Sequence, residues 1–246
     1  MKLYKLEIDK QRISRMSSEE MLFFFNIGAT LFEINTLNKI IFFSSHKDSD
    51  KEVVTRAQMA QSFHLLLILC GKLHEAWKTL QKVYFRGGLS RTFQAYLDDD
   101  VKESLKIIKR YFSTKNPITT VRNNLAFHND LKTIKEAIND TPEDEIFEIY
   151  LSEAQGNCYY HASTMIIMRA VMKATETDGA GSASSFERFF KDVERITKNM
   201  SIFLNFCLRV FPEKMGWPQE LIAERIELAA TPTIKEVYIP PFVQSD

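Results

Sequence analysis

Cysteine is scarce in this 246-residue chain. Cys70, Cys158 and Cys207 are scattered, odd in number and form no C-x-x-C pair, which argues against a disulfide framework and a structural zinc site and for a reducing compartment. An excess of one charge is also lacking. The 32 basic residues are matched by 32 acidic ones, so no overall basic field draws the chain onto nucleic acid, and any polyanion site must be local. Long apolar runs are missing too: no stretch free of charged residues is longer than Ala57 to Gly71, which is shorter than a bilayer span needs and contains Gln58, Gln61, Ser62 and His64. The N-terminal MKLYKLEIDK has no continuous hydrophobic region of the signal-peptide kind. These absences lead to the expectation of a cytoplasmic protein without membrane contact. Familiar catalytic signatures are missing as well, with no GxGxxG after a strand, no HExxH and no nucleophile elbow.

What is there is a globular composition, 45% apolar and 26% charged, enough for one helical domain over 1–246. Ser17 and Glu20 make a capping box, and Met21, Phe24, Phe25, Gly28, Leu31 and Phe32 follow helical spacing, predicting a first helix over about Ser18 to Phe43. Gly28 on that stripe suggests a close helix contact. A second long helix follows from Met59, Phe63, Leu66, Cys70, Leu73, Trp77, Leu80 and Tyr84, which alternate steps of four and three and end at Gly87 and Gly88. Val101, Leu105, Ile108 and Phe112 predict a third helix from Asp99 to Phe112. Asn116 with Pro117 caps a fourth, expected to run to about Asn139.

Further along, Glu145 to Tyr160 reads as a small β-hairpin around Gln155-Gly156-Asn157, and His161 to Thr175 as a Met-rich helix. The Gly/Ser-rich stretch Asp178 to Ser185 is expected to be a loop before another long helix that bears Phe186, Phe189, Val193, Ile196, Met200, Phe203, Cys207 and Val210 and closes at Pro212. Pro218 is expected to open a short helix to about Ala229, and the tail over 231–246 to be extended.

Between Val121 and Asp130 the chain reads VRNNLAFHND. Arg122 and His128 stand with five residues between them, and the polar Asn123 follows the arginine directly. This segment resembles the Arg-x(4–6)-His motif of the HEPN superfamily, and RNNLAFHND resembles the motif helix of HEPN-like proteins from bacterial toxin and abortive-infection systems. The resemblance extends over roughly residues 18–175, leaving helices at about 184–229 as a C-terminal addition. It implies an all-α HEPN-like helical bundle with long antiparallel helices and a β-hairpin insertion. It also implies a homodimer whose motif helices pair across a two-fold axis, an RNA substrate, and a protein partner such as an antitoxin.

The implied reaction is cleavage of RNA by attack of the ribose 2′-hydroxyl, with no metal and no cofactor. In it His128 moves the proton and Arg122 stabilises the phosphoryl charge, while Asn123 or Asn124 supports them. On an ideal helix, at about 100° per residue, His128 falls in line with Ile118, Val121 and Leu125, and Arg122 lies roughly 9 Å away along the axis. The competing reading is a noncatalytic HEPN-like module that binds a protein or nucleotide, with His128 packed and Arg122 snorkelling over its helix. Arg86 and Arg91, around Gly87 and Gly88, are secondary candidates for substrate phosphates, although a helix end with a turn accounts for the same residues. His64 and His74 lie on different faces of the second helix and cannot chelate a metal together. His46 and His161 are read as bystanders.

Overall fold

In the computed structural model, which describes residues 1–45, 47–127, 130–176, 182–216, 222–228 and 230–244, the chain is mostly helical with one two-stranded sheet. A strand, β1 (Lys2–Leu6), and a single turn, α1 (Lys10–Ile13), lead into α2 (Ser18–Ser45). The predicted box caps α2. The Ser17 amide donates to Glu20 Oε2 at 2.8 Å, and the Glu20 amide donates to Ser17 Oγ at 3.2 Å.

α3 (Glu52–Thr79) continues into a π turn at Leu80–Phe85, whose hydrogen bonds span one residue more than those of an α-helix. α2 and α3 are antiparallel: Thr79 bonds Asn26 at 3.0 Å and Lys72 pairs with Glu33 at 2.8 Å, so contacts climb one helix as they descend the other. Phe63, Leu66, Cys70, Leu73, Trp77, Leu80 and Tyr84 are buried as their spacing predicts, while Met59 is exposed. Each large apolar side chain buried this way contributes about 1.5–3 kcal/mol. Glu52–Phe85 is long and apolar enough to cross a membrane, with a window of mean hydropathy 1.3, and 44% of that window is buried inside the bundle.

Gly88, at φ 82°, takes the left-handed conformation that ends this segment and starts α4 (Leu89–Phe93), followed by a 3-10 turn at Gln94–Tyr96. α5 (Asp99–Phe112) has the predicted bounds, with Asp98 accepting from the Val101 amide at 2.8 Å. The next helix does not run unbroken to Asn139. α6 (Pro117–Val121) starts on Asn116, whose Oδ1 accepts from the Thr119 amide at 2.9 Å. A second π turn covers Arg122–Ala126, Phe127 leaves helical geometry, and α7 (Leu131–Asn139) starts afresh. Asp130 is the physical reason. Its carboxylate accepts from the Lys132 amide at 3.2 Å and the Thr133 hydroxyl at 2.5 Å, the helix-starting bonds that aspartate offers in competition with a continuous helix.

The expected β-hairpin reduces to one bridge, in which Tyr150 and Tyr159 exchange two bonds of 2.8 Å; Gln155–Asn157 forms a 3-10 turn. Glu145 pairs with Arg169 and Glu148 with Arg56, so ion pairs to helices hold this segment where a ladder was expected. α8 (His161–Thr175) matches its prediction.

α9 (Ser182–Lys214) buries Phe189, Val193, Ile196, Met200, Phe203, Cys207 and Val210. It begins within the stretch expected to be a loop, of which 178–181 lie outside the described residues. It runs antiparallel to α2, with Leu208 against Gly28 and Lys214 paired with Glu20. Pro212 lies inside α9 and does not close it, because the Phe211 carbonyl still accepts from the Met215 amide at 2.9 Å. The short helix expected after Pro218 is also corrected. Ile222–Glu227 forms β2, antiparallel to β1, with Lys2 opposite Glu227 and Tyr4 opposite Arg225. Pairing with β1 satisfies backbone groups of both segments and overrides the helix-favouring composition of β2. Residues 217–221 and Ala229 lie outside the described residues. In the tail, the Ile239 amide donates to the Phe43 carbonyl at 3.0 Å.

Candidate functional site

Two elements carry the described part of the Arg-x(5)-His segment. α6 with its π turn supplies Thr119, Arg122, Asn123 and Asn124, and the facing stretch of α3 supplies Gly71, His74, Glu75 and Lys78. Ile118, Val121 and Leu125 are buried and anchor the segment to the core. The wider turn shifts every later residue around the axis, so the ideal-helix projection that aligned His128 with this stripe does not apply. His128 and Asn129 themselves lie outside the described residues, as does His46.

Arg122 donates from Nη2 to Glu75 Oε1 at 2.7 Å and from Nη1 to Asn123 Oδ1 at 3.2 Å. Its Nε is buried with no hydrogen-bond partner among the described residues. The half-buried guanidinium therefore carries one carboxylate and has donor capacity to spare. Asn123 is exposed and Asn124 half-buried; the Asn124 backbone carbonyl accepts from the Asp130 amide at 3.0 Å, drawing the two ends of the break together. Asn123 is thus the asparagine whose side chain meets Arg122. The bond from Thr133, first among its causes, holds the Asp130 carboxyl below the usual range.

His74, whose spacing from His64 does not suit joint metal binding, belongs to this constellation. It is buried, and its Nδ1 lies 3.2 Å from Thr119 Oγ1. Burial pushes its imidazole below the usual value; the Arg122 and Lys78 charges push the same way, and Glu75 opposes them. Nothing local in the sequence marks His74 or Glu75, since each meets the motif segment across more than forty positions. Among the described residues no three His, Cys, Asp or Glu side chains group to hold a metal ion.

Arg86 and Arg91 are not brought to this site. Arg86 caps the π turn of α3 and Arg91 lies on α4; both are exposed. Eleven residues of helix separate Glu75 from Arg86, roughly 16 Å along the axis. No family model matches the chain, no curated protein matches it in sequence, and no solved structure matches it in fold.

Proposed function

We propose that the protein is a metal-independent endoribonuclease of the HEPN type, acting as a homodimer in a toxin or phage-defence role. The observation that carries the reading is the half-buried guanidinium of Arg122, held against Asn123 beside a break in the motif helix. In the reaction the 2′-oxygen forms a bond to the adjacent phosphorus as the bond from phosphorus to the 5′-oxygen breaks. His128 takes the 2′-hydroxyl proton, and the 5′-oxygen leaves protonated by the corresponding group of the second copy. Arg122 stabilises charge on the phosphoryl oxygens once Glu75 gives way.

A second reading is favoured by one observation. Glu75 already neutralises Arg122, an arrangement that suits a noncatalytic module binding a protein or nucleotide. The two are separated by RNA cleavage in EDTA, comparing wild type with Arg122→Ala, His128→Ala and Glu75→Gln after each is shown to fold. The nuclease reading expects 2′,3′-cyclic phosphate ends from wild type, loss of at least about a hundredfold in the first two variants, and faster cleavage in Glu75→Gln. Undiminished cleavage by the Arg122 and His128 variants, or none by wild type on varied RNAs, leaves the binding module standing.

A further inference from the structure

Positive charge accumulates in one place in this otherwise balanced chain. A cleft of about 510 Å³ opens between the C-terminal half of α5, the turn at 113–116 and the first half of α9. Among the described residues it is lined by the cations Lys106, Arg110, Lys115, Arg188 and Arg195 and by two carboxylates, Glu103 and Asp192. Glu103 takes Lys106 at 3.2 Å, and Asp192 takes Arg195 at 2.7 Å. Arg110, Lys115 and Arg188 are left without an ion pair among the described residues, and all three are exposed. Ser185 lines the same cleft, 2% exposed, with a hydroxyl that has no hydrogen-bond partner among the described residues.

We propose that this cleft binds phosphate esters. Two free guanidinium groups and one ammonium around a concave surface suit a group with several anionic oxygens, because each arginine can present paired donors to a phosphate. The turn that carries Lys115 is held from within: Asn116 Nδ2 donates to the Thr114 carbonyl at 2.9 Å and Ser113 Oγ to the Arg110 carbonyl at 2.9 Å. The cations thus project from a fixed frame, which reduces the ordering cost of binding. The lining does not include Arg122, so a protein that binds here and cleaves nothing upholds the inference. The phosphate belongs either to a polynucleotide backbone or to a free mononucleotide.

Both sources are tested on the full chain with probes that 2′-hydroxyl attack cannot consume: a fluorescent single-stranded 2′-O-methyl oligoribonucleotide followed by anisotropy, and AMP followed by calorimetry. Wild type is compared with Arg110→Glu/Arg188→Glu and with Lys51→Glu, at the start of α3 and outside the cleft lining, as a control, all checked for helicity. The double variant is expected to bind at least about tenfold more weakly, and its log–log salt slope for the oligonucleotide to fall by about 1.4, the loss of two phosphate contacts. Lys51→Glu is expected to bind like wild type. Oligonucleotide binding without AMP binding assigns the backbone, and AMP binding assigns the mononucleotide; either supports the site when the double variant loses it. Unchanged binding by the double variant, or no binding of either probe by wild type at low salt, overturns it.

Discussion

His74 and Arg122 stand on different elements, yet their charges act on each other across the α3–α6 contact. The imidazole is held below its usual value near 6.5, so the folded state takes up its proton less readily than the unfolded chain. The sign follows directly. Above about pH 6.5 the group has no effect on stability, and as pH falls below that value the unfolded state binds the proton first and stability is lost. Partial desolvation by its neighbours moves the exposed His64 in the same direction. His74→Gln is therefore expected to lose less stability than wild type between about pH 7.5 and pH 5.5, read as the shift in urea midpoint, with His64 contributing to the acid sensitivity that remains. An equal shift in both proteins would place His74 in water.

At the scale of elements, the break between α6 and α7 is seated on α3 through one glycine. A Cβ on Gly71 would stand 2.0 Å from Phe127 Cε2, so the ring lies where any other side chain would be. Phe127 is 53% exposed and has room to swing outward, and α3 gains about 1 kcal/mol of helix propensity from the exchange. Gly71→Ala is thus expected to keep or slightly raise the melting temperature while displacing the residues that follow Arg122. On the ribonuclease reading it loses cleavage without losing the fold, a pairing that a melting curve beside a cleavage assay detects. Caps act at the same scale: Asp98→Ala removes the acceptor for the Val101 amide and is expected to cost about 1 kcal/mol in chemical denaturation.

For the whole molecule, Cys70 on α3 and Cys207 on α9 are fully buried and Cys158 is half-buried. Burial also pushes both core thiols well above their usual range. One thiol is expected to react with a small thiol reagent in native buffer and three in denaturant; fast reaction of all three in native buffer would contradict the packing of α3 against α9. The same packing marks where the sequence suffices. The residues of α3 and α9 with three-four spacing, the Ser17–Glu20 box and the Asp98 and Asn116 caps act within a few positions, so chain order alone determined those helices. Segments whose structure depends on distant partners were illegible: Ile222–Glu227 becomes a strand only because β1 lies beside it, and the 145–160 segment is held by Arg56 and Arg169. The site divides in the same way. Arg122 and Asn123 were visible as neighbours in sequence, whereas the tertiary structure alone brought Glu75 and His74 to them and separated Arg86 and Arg91 from them, because hydrogen bonds and charges act through space and not along the chain.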